Sequence, residues 1–172
     1  MEYLSIPEER LGVLIGVNGS VKRNIEKRGK TKLKIEGTSV SIVGDGIAAW
    51  KARDVVQAIG RGFNPEYALM LFNEDYVFEM INMGDFASER SWTRLRGRVI
   101  GQNGRSKKFI EKASGAVISV YGKTIAFVGT YDDVSIAKEA VSMLLSGAKH
   151  GSVRRFLEKE NKKRYKGGVE LR

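Results

Sequence analysis

Cysteine is absent from the 172 residues, which rules out a disulfide framework and any thiolate metal site. Histidine occurs once, as His150, and no Gly-x-x-x-x-Gly-Lys-Ser/Thr phosphate loop is present. That inventory argues against an enzyme and against a bound cofactor. No apolar run approaches the ~20 residues a membrane-spanning helix needs, and no signal-like leader is evident. A soluble, cytoplasmic protein is expected.

What the chain does have is positive charge, unevenly placed. Lys and Arg number 30 against 20 Asp and Glu, a formal +10 that points to polyanionic partners. Residues 1–84 hold 11 basic and 11 acidic residues, so the whole surplus lies in residues 85–172.

The chain also says nearly the same thing twice, 85 residues apart. Ile15-Gly16-Val17-Asn18-Gly19 falls on Ile100-Gly101-Gln102-Asn103-Gly104, and Ile25-Glu26-Lys27 on Ile110-Glu111-Lys112. Downstream, Gly37 falls on Gly122, Ala52 on Ala137 and Val56 on Val141. A period this long fits two similar small domains in tandem rather than a solenoid. The expected domains are residues 1–75 and 76–172. Asn73-Glu74-Asp75 is too short and too poor in Gly, Pro and Ser to be a flexible linker, so the two are expected to pack together.

Each copy opens with a strand-like run, Tyr3 to Ile6 and Tyr76 to Ile81, and a short helix then leads into the Gly-x-x-Gly loop. A helix follows, Ser20 to Arg28 and Arg105 to Ser114, which glycine is expected to end in both copies, at Gly29 and Gly115. Lys32 to Glu36 and Val40 to Val43, then Ala116 to Tyr121 and Thr124 to Val128, read as tight hairpins turning at Gly37 and Gly122. A closing helix carries the stripe Ala48, Ala52, Val55, Val56, Ile59 in one copy and Ala137, Ala140, Val141, Leu144 in the other. An added helix ends each unit, capped by Asn64 before Pro65 in the first and by Ser152 in the second. The charged tail from Lys159 to Lys166 is expected to fray near Gly167-Gly168. The fold class is α+β: two three-stranded sheets, each covered on one face by helices.

A Gly-x-x-Gly turn between helices lets a phosphate approach the backbone and the next helix N-terminus. One such turn signifies little; two at the same place in the same β-α-α-β-β-α order resemble tandem type I KH domains, whose loop clamps the backbone of about four nucleotides. That resemblance implies a single-stranded RNA groove over Ile15, Val21, Ile25, Leu33 and Ile35, then Val99, Ile100, Ile110, Ile118 and Val120. For each of these a core role and a base contact both remain open. The expected RNA site comprises Gly16, Val17, Asn18, Gly19, Lys22, Arg23, Lys32 and Lys34 in the first unit. In the second it comprises Arg98, Ile100, Gly101, Gln102, Asn103, Gly104, Arg105, Ser106, Lys107, Lys108, Ile118 and Val120, with Arg154 and Arg155 on the last helix. The loops depart from the KH pattern in lacking a Lys or Arg, and Lys22 and Lys107 stand where an aliphatic residue is customary.

The chain is similar in detail to the archaeal form of the Dim-two, or partner-of-Nob-one, family. Leu95-Arg96-Gly97-Arg98-Val99-Ile100-Gly101, Ile118-Ser119-Val120-Tyr121-Gly122-Lys123-Thr124 and Gly147 to Leu157 carry the likeness, with Arg61-Gly62-Phe63-Asn64-Pro65-Glu66 in the first half. The long polar N-terminal extension of the eukaryotic members is not expected here. The likeness implies a monomer that binds the 3′ region of small-subunit pre-ribosomal RNA and assists its endonucleolytic maturation. The Nob-one endonuclease and a translation initiation factor alpha subunit are the partners it implies. A generic KH regulator of messenger RNA decay or translation is the alternative, as is a scaffold whose neutral first unit binds protein. Asp132-Asp133 reads as the start of a helix rather than a metal site, His150 as structural, and Trp50 and Trp92 as packing residues.

Overall fold

The computed structural model describes residues 1–166; the expected fraying at Gly167-Gly168 lies outside them. The chain divides into two compact units, Met1–Phe78 and the remainder from Glu79. In the first, β1 (Glu2–Ser5), α1 (Glu8–Ile15), α2 (Ser20–Gly29), β2 (Lys32–Glu36), β3 (Ser39–Val43) and α3 (Gly46–Gly60) are followed by the short α4 (Pro65–Leu69). Then β4 (Tyr76–Asn82), α5 (Trp92–Ile100), α6 (Arg105–Ser114), β5 (Val117–Tyr121), β6 (Thr124–Thr130), α7 (Tyr131–Leu145) and α8 (His150–Lys166) repeat the order. The sheets are antiparallel with matching strand orders, β1-β3-β2 and β4-β6-β5.

Alternation builds the first sheet. Lys32, Lys34 and Glu36 are exposed while Leu33 turns inward, and in β3 the fully buried Val40 and Ile42 alternate with Ser39, Ser41 and Val43. Leu33 sits opposite Ile42 and Ile35 opposite Val40; Ile118 opposite Phe127 and Val120 opposite Ile125 reproduce that register 85 residues on. The second sheet departs from simple alternation, because every residue from Thr124 to Gly129 is buried.

Above the first sheet, Ala52, Val55, Val56 and Ile59 put the apolar stripe of α3 into the core, with Ala49 buried in place of the expected Ala48, which is half-buried. Each of its Val and Ile side chains contributes about 1.5–3 kcal/mol. Asp45 caps α3 by accepting from the Ala48 N–H at 2.9 Å, and Thr130 caps α7 through the Asp133 N–H at 3.3 Å. Asp132 and Asp133 therefore lie in the first turn of α7, as the sequence suggests. Asp133 is buried and pairs with Arg164 of α8 at 3.1 Å, while Arg164 also donates to the Ser114 carbonyl at 3.1 Å. One guanidinium thus ties α8 to the ends of α6 and α7.

Three expectations change. The helix after the second loop ends on left-handed Gly115, but its counterpart ends on left-handed Lys30 (φ 51°) and not on Gly29. Gly29 is still inside the helix and packs closely: a Cβ there would meet the Phe72 ring at 3.0 Å, and the left-handed turn falls on the next residue. Trp50 does not pack inside; it is 70% exposed on α3, beside Ile47. α8 begins at His150, two residues before the expected cap, and the Ser152 hydroxyl accepts from Arg155 instead. Upstream of the turn the two copies differ in spacing. The N–H groups of Ile6 and Met83 make equivalent bonds to the hairpin carbonyls of Thr38 and Lys123, which places eight extra residues before α5. Two 3₁₀ turns, Met83–Asp85 and Glu89–Ser91, occupy that stretch, where the Trp92 indole N–H donates to the Ala87 carbonyl at 3.1 Å.

Candidate nucleic-acid interface

Both Gly-x-x-Gly loops take one conformation. α1 ends at Gly16 (φ 75°, ψ 176°) and α5 at Gly101 (φ 74°, ψ 173°), after which a single 3₁₀ turn holds Asn18 or Asn103 in the left-handed region. Asparagine tolerates that region better than most residues. Next come left-handed Gly19 and Gly104, and then α2 and α6 start with no side-chain cap. Val17-Asn18 and Gln102-Asn103 are exposed, with the Val17 side chain 80% so. The turn thus offers bare backbone at an uncapped helix start, where an anion can dock.

On one side of this turn lies the edge strand. Glu111 of α6 accepts from the Ile118 N–H of β5 at 3.2 Å and pairs with Lys107 at 3.0 Å. Glu26 accepts from the Leu33 N–H of β2 at 3.0 Å and pairs with Lys22 at 3.2 Å. Lys22 and Lys107 therefore occupy the customary aliphatic position as halves of a lysine–glutamate pair that buttresses helix against strand. Burial opposes the charge on Glu26, yet the Leu33 N–H, the Lys22 ammonium and the nearby Lys32 together hold its carboxyl below the ordinary value.

The expected site residues fall into distinct places. Gly101, Gln102, Asn103, Gly104, Lys107 and Lys108 gather at the loop and the first turns of α6, with Ile100 and Val120 partly exposed nearby. Ile118 is only 2% exposed and belongs to the core, as do Ile25, Leu33, Val99 and Ile110. In the first unit Gly16, Val17, Asn18, Gly19 and Lys22 repeat the arrangement, and the Arg23 guanidinium lies over Gly19, 3.0 Å from where a Cβ would stand. Lys34 is paired with Glu36 at 2.9 Å on the outer face of the sheet, and that partner raises its pKa. Lys32 joins Arg23, Lys27 and Lys30 around a pocket of about 520 Å³ at the foot of α2. The first half is neutral in sum but concentrates its cations here.

Arg98, Arg105, Ser106 and Arg154 face the other side of the turn. With Arg94, Phe109, His150 and Val153 they line a second pocket of about 520 Å³ between α5, α6 and α8. His150 donates through Nε2 to the Arg98 carbonyl at 3.0 Å, and Arg98 donates to the Ala148 carbonyl. Arg154 lies 4.6 Å over the Phe109 ring. Arg155 points elsewhere, to Ser152. Among the described residues no group of three or more His, Cys, Asp or Glu could hold a metal, and no helix is long and apolar enough to cross a membrane.

Comparison with known proteins assigns this architecture. Residues 77–162 match the model of a eukaryotic-type KH domain (KH-domain type I), that of the second KH domain of PNO1. A KH domain-containing protein of Methanocaldococcus jannaschii is 51% identical over 178 residues, covering 99% of this chain and 78% of its own. The chain belongs to the Dim2/PNO1 family. The crystal structure of Dim2p from Pyrococcus horikoshii OT3 superposes with a TM-score of 0.86 at 48% identity, over 92% of this chain and 98% of that one. Dim2p in a complex with a/eIF2alpha and rRNA, from the same organism, gives 0.88 at 47% identity over 94% of each. The pre-rRNA-processing protein pno1 of Aspergillus fumigatus is 29% identical over 137 residues, 77% of this chain and 52% of that protein. The chain thus spans about half the length of this fungal member of the Dim2/PNO1 family.

Sequence reasoning missed Arg94 and Phe109, which line the second pocket, and the cation cluster at Lys27 and Lys30. Arg94 and Arg98 stand four apart on α5, a spacing that puts both on one helical face. The α8 wall, some 50 residues away, carries no such local signal.

Proposed function

We propose that this chain is a non-enzymatic, single-stranded RNA-binding protein of small-subunit ribosome assembly. The principal RNA site in this reading is the turn Gly101-Gln102-Asn103-Gly104 with Lys107 and Lys108, and the strand runs along α6 toward β5. The observation that carries it is the bare, uncapped turn, repeated in both units, in a family with an rRNA-bound member. A shallow groove beside such a clamp accepts unstacked bases but excludes a duplex, which favours single strands.

The first unit is read as a second type I KH domain, because its strand order, register and loop dihedrals match those of the second. The finer assignments are a target in the 3′ region of 16S pre-rRNA, help to the Nob-one endonuclease, an initiation factor alpha subunit as partner, and a cytoplasmic monomer. The exposed Ile47 and Trp50, neighbours on α3, support a protein-docking face on the first unit.

Crosslinking in the source cells tests the target. Reads concentrated at the 3′ end of small-subunit rRNA are expected, and reads scattered over messenger RNA would favour a generic regulator. In solution, one groove holding about four phosphates gives a log–log salt slope of roughly −3, and two engaged grooves about −6. No binding to single-stranded RNA at low salt would remove the reading.

A further inference from the structure

Four arginines converge on the hollow behind the second Gly-x-x-Gly turn, on the side away from the edge strand. Arg94 and Arg98 reach it from α5, Arg105 from the start of α6 and Arg154 from α8, and its lining contains no carboxylate. Arg98 has a structural task through Ala148, but its Nε is buried without a hydrogen-bond partner. Arg154 stacks on Phe109. Arg94 and Arg105 have no acidic partner among the described residues. Arg98 and Arg154 thus have contacts that hold α8, whereas among the described residues Arg94 and Arg105 have none. Four guanidinium groups around one cavity repel each other, so stability alone does not account for them.

The duplicated unit supplies an internal control. At the positions of Arg94, Arg98, Arg105 and Arg154, the first copy has Glu9, Val13, Ser20 and Leu69. The turn keeps its backbone conformation between copies, so the positive charge behind it belongs to the second unit alone.

We propose that this pocket is a second nucleotide site, taking the phosphate and base of a nucleotide in the same RNA strand, outside the stretch held along α6 and β5. The proposal rests on the RNA-binding reading above and extends it. Guanidinium forks match phosphate oxygens in pairs, and an arginine held over an aromatic ring is placed to stack on a base as well. A volume of about 520 Å³ is more than a phosphate alone requires and lies within the usual range of small-ligand sites. Gly101 and Gln102 belong both to the turn and to the pocket wall, so a strand clamped at the turn enters the pocket by bending round it.

The test compares single-stranded RNAs of four and eight nucleotides on the full chain, using Arg94→Ala, an exposed α5 position with no structural partner. Wild-type protein is expected to bind the octanucleotide more tightly. The variant should keep its tetranucleotide affinity within about twofold and lose about three- to tenfold on the octanucleotide, with a salt slope shallower by about 0.7, one phosphate. Arg94→Glu should enlarge the octanucleotide loss. Equal losses on both RNAs, or none on either, would overturn the second site while leaving the turn as an RNA clamp. Unchanged binding of both RNAs with loss of a poly-glutamate peptide would reassign the pocket to acidic protein segments. If the wild type binds neither RNA, the functional reading falls and the pocket assignment falls with it.

Discussion

The two glycines of the turn Gly101-Gln102-Asn103-Gly104 should fail in different ways when given a methyl group. At Gly101 a Cβ would lie 2.6 Å from the Ser106 Cβ and 2.8 Å from its backbone nitrogen, inside the start of α6. The backbone there (φ 74°, ψ 173°) is in a region that side-chain-bearing residues scarcely enter, at a cost of about 1–3 kcal/mol. The overlap adds about 1–3 kcal/mol more, since neither partner is a flexible side-chain end. Gly101→Ala should therefore destabilise the second unit by about 2–6 kcal/mol. At Gly104 (φ 73°, ψ 11°) a Cβ would meet nothing within 4 Å, so only the left-handed conformation costs, about 1–2 kcal/mol. Urea unfolding of each variant, compared at unchanged m-value, reads the difference. Gly104→Ala should remain folded yet bind RNA less well, because its methyl group stands where a phosphate approaches. Equal destabilisation by the two changes would refute the argument that the first glycine locks α6 against the turn. Full RNA affinity in Gly104→Ala would refute the backbone clamp.

Gln102→Asp with Asn103→Asp places two negative charges on exposed loop positions and should weaken RNA binding at least tenfold without altering circular dichroism, at about 1 kcal/mol per charge in high dielectric. Arg164→Ala removes the guanidinium from buried Asp133 and from the Ser114 carbonyl, and should cost about 2 kcal/mol in urea unfolding, because a buried ion pair has lost one partner. Lys30→Gly relieves a left-handed lysine and should stabilise the first unit by about 0.5–1 kcal/mol, less than the full conformational strain because glycine also frees the unfolded chain. Asp54 on α3 is pushed up by burial, with Arg53 and Lys51 only partly offsetting this, so its folded pKa lies above the unfolded 3.8. Its contribution is therefore favourable at low pH and is lost as pH rises through the folded value. Asp54→Asn should raise Tm by about 1–3 °C at pH 7 and change nothing below pH 3.8.

What could be read along the chain were features set by neighbours within a few residues. The hairpins, the Asn64-Pro65 helix start and the duplicated turn depend on local backbone chemistry, and all appear where the residues indicate. The misreadings share a different cause. Gly29 looked like a helix stop because glycine usually is one, but it lies inside the helix where Phe72, over 40 residues away, crowds the position. Trp50 looked like core because tryptophan usually is, yet nothing in a helical stripe states which flank of the stripe reaches solvent. The second pocket was invisible for the same reason, since Arg98 and Arg154 meet only after α8 folds back on α5.

Net charge misled in a more instructive way. Residues 1–84 sum to zero, which suggested a first unit without an attractive field, but Arg23, Lys27, Lys30 and Lys32 surround one pocket there with Glu26 as its only acid. Screening limits each exposed charge to about 8 Å at physiological salt, so a phosphate at that surface responds to those four cations and not to acids elsewhere on the unit. The two units therefore differ less in whether they carry positive charge than in where they carry it. In the first the cations stand at the foot of α2, beside the edge strand; the second keeps Lys108 and Lys112 at the positions of Arg23 and Lys27 and adds four arginines behind the turn, against α8. Duplication kept the turn and its glutamate buttress, whose geometry tolerates few substitutes, and left the surrounding surface free to change. Two clamps of one shape, one of them with added arginines behind its turn, are suited to hold different lengths or paths of a strand, and a salt slope measured on each loop variant separately would assign the phosphates to each.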